Sequence, residues 1–110
     1  QADVVFISSV SSTHTYPYGG IYAATKAAVD TLAETLRLES QPDVRTTVIR
    51  PGVVDTSFFE SMIHGDQTPE SIGWGAVRPD QIADAVHYAV TRDPGIALNE
   101  IVIRPAAQPM

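Results

Sequence analysis

A tyrosine and a lysine one helical turn apart are the side chains of this 110-residue chain best suited to proton transfer. Tyr22 and Lys26 stand four positions apart, in the run Tyr-Ala-Ala-Thr-Lys, and residues with that spacing share one face of a helix. A positive charge beside a phenol favours the phenolate form, so such a phenol can donate a proton to a carbonyl oxygen or take one from an alcohol. The pair predicts acid–base chemistry at Tyr22, although the same spacing occurs on many helices without a catalytic role.

A candidate loop follows each of two strand-forming runs, the first apolar and the second β-branched (46–49). Residues 4–7 are apolar throughout, and a polar cluster that contains Ser9 follows them. An unbroken apolar run predicts a strand buried on both faces, as in a parallel sheet. Ligands bind beyond the carboxyl ends of strands in open α/β sheets, so Ser9 is a candidate substrate contact, with a plain turn as the alternative. Residues 50–56, with the turn dipeptide Pro51-Gly52, follow the second run and are another candidate.

The elements that position these residues alternate between strand and helix. That alternation predicts a parallel three-stranded α/β sheet with right-handed crossovers. Residues 58–74 mix apolar residues with glycine and proline, and we predict a mobile helical lid there. Three strands leave edges bare, so we expect further strands before Gln1 or from another chain. The predicted elements are a strand at 4–7, a helix from Tyr22 to Ser40, a strand at Thr46–Ile49, a helix from Pro79 to Pro94 and a strand at Glu100–Arg104.

Composition narrows the possible classes of function. The length suits one domain, and a net charge of -6, from 13 acidic and 7 basic residues, argues against a nucleic-acid partner. The acidic residues are scattered, and we interpret them, Asp30 included, as solvated surface. The absence of cysteine and of an apolar run long enough for a bilayer fits a cytoplasmic protein with no membrane contact. No histidines stand at ligand spacing with a carboxylate, so no metal is expected.

Taken in order, these motifs resemble the short-chain dehydrogenase/reductase family. Tyr22 and Lys26 match its Tyr-x-x-x-Lys motif, and Ser9 matches a serine that precedes the tyrosine by about a dozen residues at an Ile-Ser-Ser strand tip. The resemblance implies that Tyr22 is the general acid/base, that Lys26 assists it and binds the nicotinamide ribose, and that Ser9 hydrogen-bonds the substrate oxygen. It implies an oxidoreductase that uses NADP or NAD to interconvert an alcohol and a ketone or aldehyde on a small substrate.

The second loop extends the resemblance to the cofactor. The family's Pro-Gly-x-x-x-Thr loop holds the nicotinamide end, and Val54 falls where a backbone contact to the carboxamide is usual. The tail at 104–108 is similar to one branch of the family, which acts on small hydroxy acids or carbonyls. The implied cofactor-binding residues are Tyr22, Lys26, Pro51, Gly52, Val54 and Thr56.

Several parts of the family pattern have no counterpart in these 110 residues, notably the glycine-rich phosphate turn. The resemblance therefore implies the carboxyl-terminal half of a doubly wound Rossmann sheet, with residues 1–110 as the catalytic part of a single domain. We expect this chain alone to bind a dinucleotide poorly and to be inactive. In the proteins it resembles, the helix matching Tyr22 to Ser40 packs against a copy of itself, which implies a homodimer or homotetramer.

Two other classes of function stay open at this point. Extended relatives of the same scaffold use a Tyr-Lys pair to epimerise or dehydrate nucleotide sugars, and a non-catalytic interaction module is a third possibility. The Ser-Ser strand tip and the Pro-Gly loop favour the oxidoreductase. His14 is more simply a solvated loop residue than a substrate contact. For Tyr16 and Tyr18, contact with substrate and plain packing are equally plausible.

Overall fold

The structure of the chain, a computed structural model, describes residues 1–55 and 73–110. The order of its elements confirms the predicted alternation of strands and helices, with bounds that differ by a few residues from those expected. Along the chain these are strand β1 (Ala2–Ile7), a 3₁₀ turn (Val10–Ser12), helix α1 (Gly20–Ser40), strand β2 (Val44–Pro51), helix α2 (Pro79–Val90) and strand β3 (Glu100–Ile103).

The three strands form a parallel sheet in the order β1-β2-β3. β2 is central: its pairing with β1 runs from Ala2↔Val44 to Ile7↔Ile49, and Pro51 near its end pairs with Ile103 of β3. Because all strands run in one direction, their carboxyl ends meet at a single edge of the sheet. That edge brings the polar cluster after β1 next to the Pro-Gly loop after β2, as the sequence predicts.

β1 is less buried than its apolar run predicts. Val4, Val5 and Phe6 are half-buried and Ile7 is 45% exposed, whereas Val48 and Ile49 of β2 are buried. β1 is an edge strand of the described sheet, and only β2 has a strand on each side. The described residues alone do not cover both faces of β1, so the predicted cover goes together with the further strands expected before Gln1 or from another chain.

The two helices cover opposite faces of the sheet. Arg45 and Arg50 of β2 are an odd number of positions apart, so their side chains point to opposite faces. Arg50 pairs with Asp30 of α1 at 2.9 Å, whereas Arg45 donates to the carbonyl of Val90 at the end of α2 at 3.1 Å. The three parallel strands lie side by side in sequence order. When the two connecting helices lie on opposite faces of such a sheet, one connection is right-handed and the other is left-handed. The prediction of right-handed crossovers is therefore wrong for one of the two connections.

Local sequence explains the ends of the helices and the closeness of α1 to the sheet. α1 ends at Ser40, immediately before the Gln41-Pro42 dipeptide, and α2 begins at Pro79, where the missing N–H of proline leaves no bond unmade. Ala33 is 1% exposed, because a small side chain lets α1 lie directly on β2. Within the described ranges, no helix combines the length and the apolarity needed to cross a bilayer.

Candidate active site

A tight turn before α1 sets the position of Tyr22. The N–H of Gly19 donates to the carbonyl of Tyr16 at 2.9 Å, and Tyr18 adopts a left-handed φ of 68°, so proline and Tyr18 occupy the two central positions of a type II turn. A Cβ at Gly19 would lie 2.6 Å from the Tyr16 ring, so that ring packs directly on the glycine backbone. α1 begins at the next residue, which places Tyr22 in its first turn.

Lys26 lies beside Tyr22, one helical turn further along α1. Its ammonium nitrogen Nζ is 5.7 Å from the centre of the tyrosine ring, within the range of a cation–π contact. The same Nζ donates to the carbonyl of Ile7 at 3.3 Å. The lysine is therefore tied to the carboxyl end of β1, and its charge is held next to the phenol.

Ser9 is buried between the end of β1 and α1. It is 7% exposed, and its Oγ accepts a hydrogen bond from the N–H of Ser11 at 3.0 Å, which caps the 3₁₀ turn. Because Oγ is the acceptor in that bond, its own hydrogen can be donated to another oxygen. The neighbouring Ser8 donates to the Lys26 carbonyl at 3.4 Å, so the segment that carries Ser9 is attached to the helix that carries Tyr22 and Lys26.

The loop after β2 is held by pairing with Val77. The N–H of Val77 donates to the carbonyl of Val53 at 2.8 Å, and the N–H of Asp55 donates to the carbonyl of Val77 at 2.9 Å. These two bonds form a parallel bridge between Val54 and Val77. In this parallel bridge, the bonds to Val77 are made by Val53 and Asp55, the two neighbours of Val54. The N–H and C=O of Val54 itself therefore point away from Val77. Those two groups are where the resemblance implies contact with a carboxamide.

Part of the predicted site lies outside the described residues. Thr56, the last member of the predicted cofactor loop, is there, and so is nearly all of the predicted lid at 58–74. Trp74, at the end of that segment, is described and half-buried. His14, Tyr16 and Tyr18 are exposed in the stretch between Ser9 and Tyr22.

Arg50 joins two carboxylates in an ion-pair network, of which the pair with Asp30 is largely buried and the pair with Glu100 is partly exposed. Arg50 bonds to Asp30 at 2.9 Å and to Glu100 at 2.8 Å. Burial raises the pKa of Asp30, but the hydroxyls of Ser12 and Ser8 and the guanidinium of Arg50 outweigh burial and hold that pKa below its usual range. The interpretation of Asp30 as solvated surface is therefore wrong, since its side chain is only 16% exposed.

Asp30 thus joins three parts of the candidate site. It lies one turn beyond Lys26 on α1, it faces the serine segment after β1, and it holds the arginine that precedes the Pro-Gly loop. The spacing Tyr22–Lys26–Asp30 repeats every four residues and could have identified it. Among residues 1–55 and 73–110, no three histidine, aspartate or glutamate side chains converge in a way that could hold a metal ion.

Comparison with known proteins identifies a family for most of the chain. Residues 1–67 match the model of the family described as short chain dehydrogenase. An uncharacterized oxidoreductase of Staphylococcus saprophyticus is 32% identical over 110 residues, covering 96% of this chain and 45% of the relative. One from Listeria innocua is 36% identical over 114 residues, with the same two coverages. The chain thus spans about half the length of the curated relatives it matches.

Solved structures show the same arrangement of elements. The closed form of a serine dehydrogenase complexed with NADP⁺ superimposes with a TM-score of 0.87 at 26% identity, over 98% of this chain and 46% of that one. An alcohol dehydrogenase from the archaeon Thermococcus sibiricus, complexed with 5-hydroxy-NADP, gives a TM-score of 0.77 at 33% identity. The match covers 96% of this chain and 43% of that one. These matches support the predicted α/β, Rossmann-type arrangement of parallel strands and helices.

Proposed function

Because the chain belongs to the short-chain dehydrogenase family, we propose that it carries the catalytic residues of an oxidoreductase that uses NADP or NAD. The proposed reaction interconverts an alcohol and a ketone or aldehyde on a small substrate. The proposed catalytic residues are Ser9, Tyr22 and Lys26. The observation that carries this proposal is the placement of Lys26, which contacts both the ring of Tyr22 and the end of the strand that leads to Ser9.

Each catalytic side chain has a distinct part in the proposed mechanism. In the direction of reduction, the Tyr22 hydroxyl donates its proton to the carbonyl oxygen, and in oxidation it takes the proton of the alcohol. The Ser9 hydroxyl donates a hydrogen bond to the same oxygen, where negative charge develops. Lys26 places a positive charge beside the Tyr22 ring and is proposed to assist Tyr22 in the proton transfer.

The residues of this chain fit the nicotinamide end of the cofactor. The Lys26 ammonium has three N–H donors, of which one is directed at Ile7, and the others suit the ribose hydroxyls. The backbone groups of Val54 suit a carboxamide, which needs one donor and one acceptor. Pro51, Gly52 and Thr56 belong to the same proposed cofactor-binding set. When bound, the cofactor supplies or accepts the hydride.

We propose this activity for the complete gene product rather than for residues 1–110 alone. The chain covers about 45% of the length of its curated relatives, and it contains no glycine-rich phosphate turn after a strand. We propose that residues 1–110 are the carboxyl-terminal, catalytic part of a single Rossmann domain, and that alone they bind a dinucleotide poorly.

Binding of the reduced cofactor is the first test of this proposal. The complete gene product is expected to enhance the fluorescence of NADPH or NADH on titration, and to oxidise the bound form when small ketones, aldehydes or keto acids are added. Residues 1–110 alone serve as the comparison and are expected to show little of either effect. Nicotinamide absorbance at saturating substrate gives the turnover rate.

The same assay separates the alternative functions. Conversion of UDP-sugars with no net change in the nicotinamide would favour an epimerase or dehydratase on this scaffold. A complete gene product that binds neither NADPH nor NADH would contradict the oxidoreductase proposal and favour an interaction module.

We also propose that the complete gene product is a homodimer or homotetramer that associates through the helix from Tyr22 to Ser40. Ile21, Ala28 and Leu32 share one face of α1 by their spacing, and Ile21 and Leu32 are 86% and 65% exposed. Small and apolar residues on one face allow a second helix to pack closely. Charge at the centre of that face should therefore prevent association.

Light scattering coupled to size exclusion measures this directly. The expected mass of the wild-type protein is two or four times that of one chain, and Leu32→Arg is expected to lower it. Ile96→Arg is the matched control, because Ile96 is 56% exposed but lies outside α1. A monomeric wild-type protein, or an unchanged mass in Leu32→Arg, would contradict the proposed interface.

A further inference from the structure

The tail after β3 folds back onto the Pro-Gly loop, and one side chain makes the connection. Gln108 is half-buried, and its Oε1 accepts a hydrogen bond from the backbone N–H of Val53 at 2.9 Å. The side-chain Nε2 of Gln108 donates to the backbone oxygen of Met110 at 2.8 Å. The backbone N–H of Gln108 donates to the carbonyl of Pro105 at 2.9 Å. The amide is therefore held at both ends and has one orientation that satisfies all of these bonds.

Gln108 also packs directly against the backbone of Gly52. A Cβ built at Gly52 would lie 2.9 Å from Cδ of Gln108 and 3.1 Å from Cγ of Arg104, so a side chain at this position would push the Gln108 side chain aside. The absence of a side chain at Gly52 thus lets Gln108 reach the backbone of the loop.

The contact completes the support of Val53. The carbonyl of Val53 accepts from Val77 at 2.8 Å, and its N–H donates to Gln108. Because the Val53 carbonyl and the Val54 N–H share one planar peptide unit, the bonds to Val77 direct the backbone groups of Val54. The bond to Gln108 holds the Gly52–Val53 peptide that leads into them. The valine side chain has no hydrogen-bonding group, so the bond to Gln108 in the tail is what holds the backbone N–H of Val53.

We propose that Gln108 is a positioning residue that holds the Pro51–Val54 loop in the shape that binds the nicotinamide end of the cofactor. This inference rests on the proposed function, because the proposed function supplies the cofactor that the loop would bind. Gln108 itself touches the loop rather than the reacting atoms. Its loss should weaken cofactor binding equally in the ground state and the transition state, which raises the dissociation constant and leaves kcat nearly unchanged.

Two substitutions in the complete gene product test this role. Gln108→Met keeps the length of the side chain but removes the acceptor for Val53, and we expect the dissociation constant for NADPH or NADH to rise about three- to tenfold, as for one lost hydrogen bond. Gln108→Glu loses the donor to Met110 but keeps the acceptor oxygen for the Val53 N–H, which is the bond that reaches the loop, so its dissociation constant is expected to stay within about twofold of wild type. In both variants kcat at saturating cofactor should change by less than about twofold.

Exchange of the Val53 amide hydrogen gives a second readout that needs no cofactor. In the protein without cofactor, this amide is expected to exchange faster in Gln108→Met than in wild type, by about three- to tenfold, and to stay protected in Gln108→Glu. Unchanged exchange in Gln108→Met would overturn the proposal, as would faster exchange with an unchanged dissociation constant. Equal losses in the Glu and Met variants would also overturn it.

These outcomes are distinct from failure of the proposed function. If the wild-type protein bound neither NADPH nor NADH, the oxidoreductase assignment would fail, and with it the cofactor-positioning role of Gln108. The amide exchange would still decide whether the tail holds the loop. A rise in the dissociation constant confined to Gln108→Met, together with loss of Val53 protection, would support the proposal in full.

Discussion

Replacement of Tyr22 by phenylalanine is expected to lower kcat of the complete gene product by about 100- to 10,000-fold, the contribution of a well-placed general acid/base. Phenylalanine keeps the ring beside the Lys26 ammonium, so the local packing of α1 is preserved and only the proton carrier is removed. The dissociation constant for NADPH or NADH should change by less than about threefold, because most of the proposed cofactor contacts lie elsewhere. Stopped-flow or steady-state absorbance of the nicotinamide, with a fluorescence titration, measures both quantities.

Tyr88→Phe is the matched control for this experiment. Tyr88 lies on α2, is 54% exposed, and stacks with Arg92, so the same loss of a hydroxyl there should leave kcat unchanged. If Tyr22→Phe retained turnover within about tenfold of wild type while Tyr88→Phe behaved as expected, Tyr22 would not be the proton carrier, and the proposed mechanism would be wrong.

The parts of the site that the sequence predicts correctly depend on short-range spacing. Tyr22 and Lys26 lie four residues apart on one helix, so helical geometry alone brings them together. Ser9 follows β1, Pro51 is the last residue of the neighbouring parallel strand β2, and strand ends in such a sheet meet at one edge. The elements themselves are predictable because alternating apolar runs and helical patterns repeat along the chain. The chemical roles of these residues stay predictions.

What the sequence does not predict depends on contacts between distant segments. Gln108 bonds to a residue 55 positions away, and nothing in the tail signals that partner. Asp30 appears in the sequence as one acidic residue among many, and only the fold brings Arg50, 20 positions away, next to it. The opposite hand of the two crossovers is also invisible in the order of elements, since that order is compatible with helices on the same face.

Arg45 shows how strongly such distant contacts act on stability. It is the second residue of β2, and its side chain is only 9% exposed and pairs with Asp3 of β1 at 2.7 Å. The other N–H groups of Arg45 donate to backbone carbonyls at the end of α2 and in the loop that follows. The last carbonyls of a helix have no partner within the helix, so they need donors from elsewhere. Those acceptors are Val90, Arg92, Asp93 and Ile96, at 2.9 to 3.2 Å.

Replacement of Arg45 by methionine is expected to lower the melting temperature of the complete gene product by on the order of 10 °C. Methionine fills the volume but leaves the partly exposed Asp3 carboxylate and the carbonyls at the end of α2 without their donor, and polar groups that lose their donor on a folded structure are costly. Arg45→Lys should recover only part of the loss, because an ammonium cannot present the planar set of five N–H donors. Calorimetry or circular dichroism on heating measures all three proteins.

The matched control removes an arginine whose contacts are local. Arg37 pairs with Glu34 one turn away on α1 at 2.6 Å, and exposed pairs of this kind contribute little, so Arg37→Met should shift the melting temperature by less than about 2 °C. Equal shifts in Arg37→Met and Arg45→Met would contradict the distinction. A large shift confined to Arg45 would show that β1, β2 and the end of α2 are held together by one guanidinium. Because β1 and β2 also carry the candidate site at their other ends, the same variant should reduce the fraction of active protein on heating without changing kcat of the molecules that remain folded.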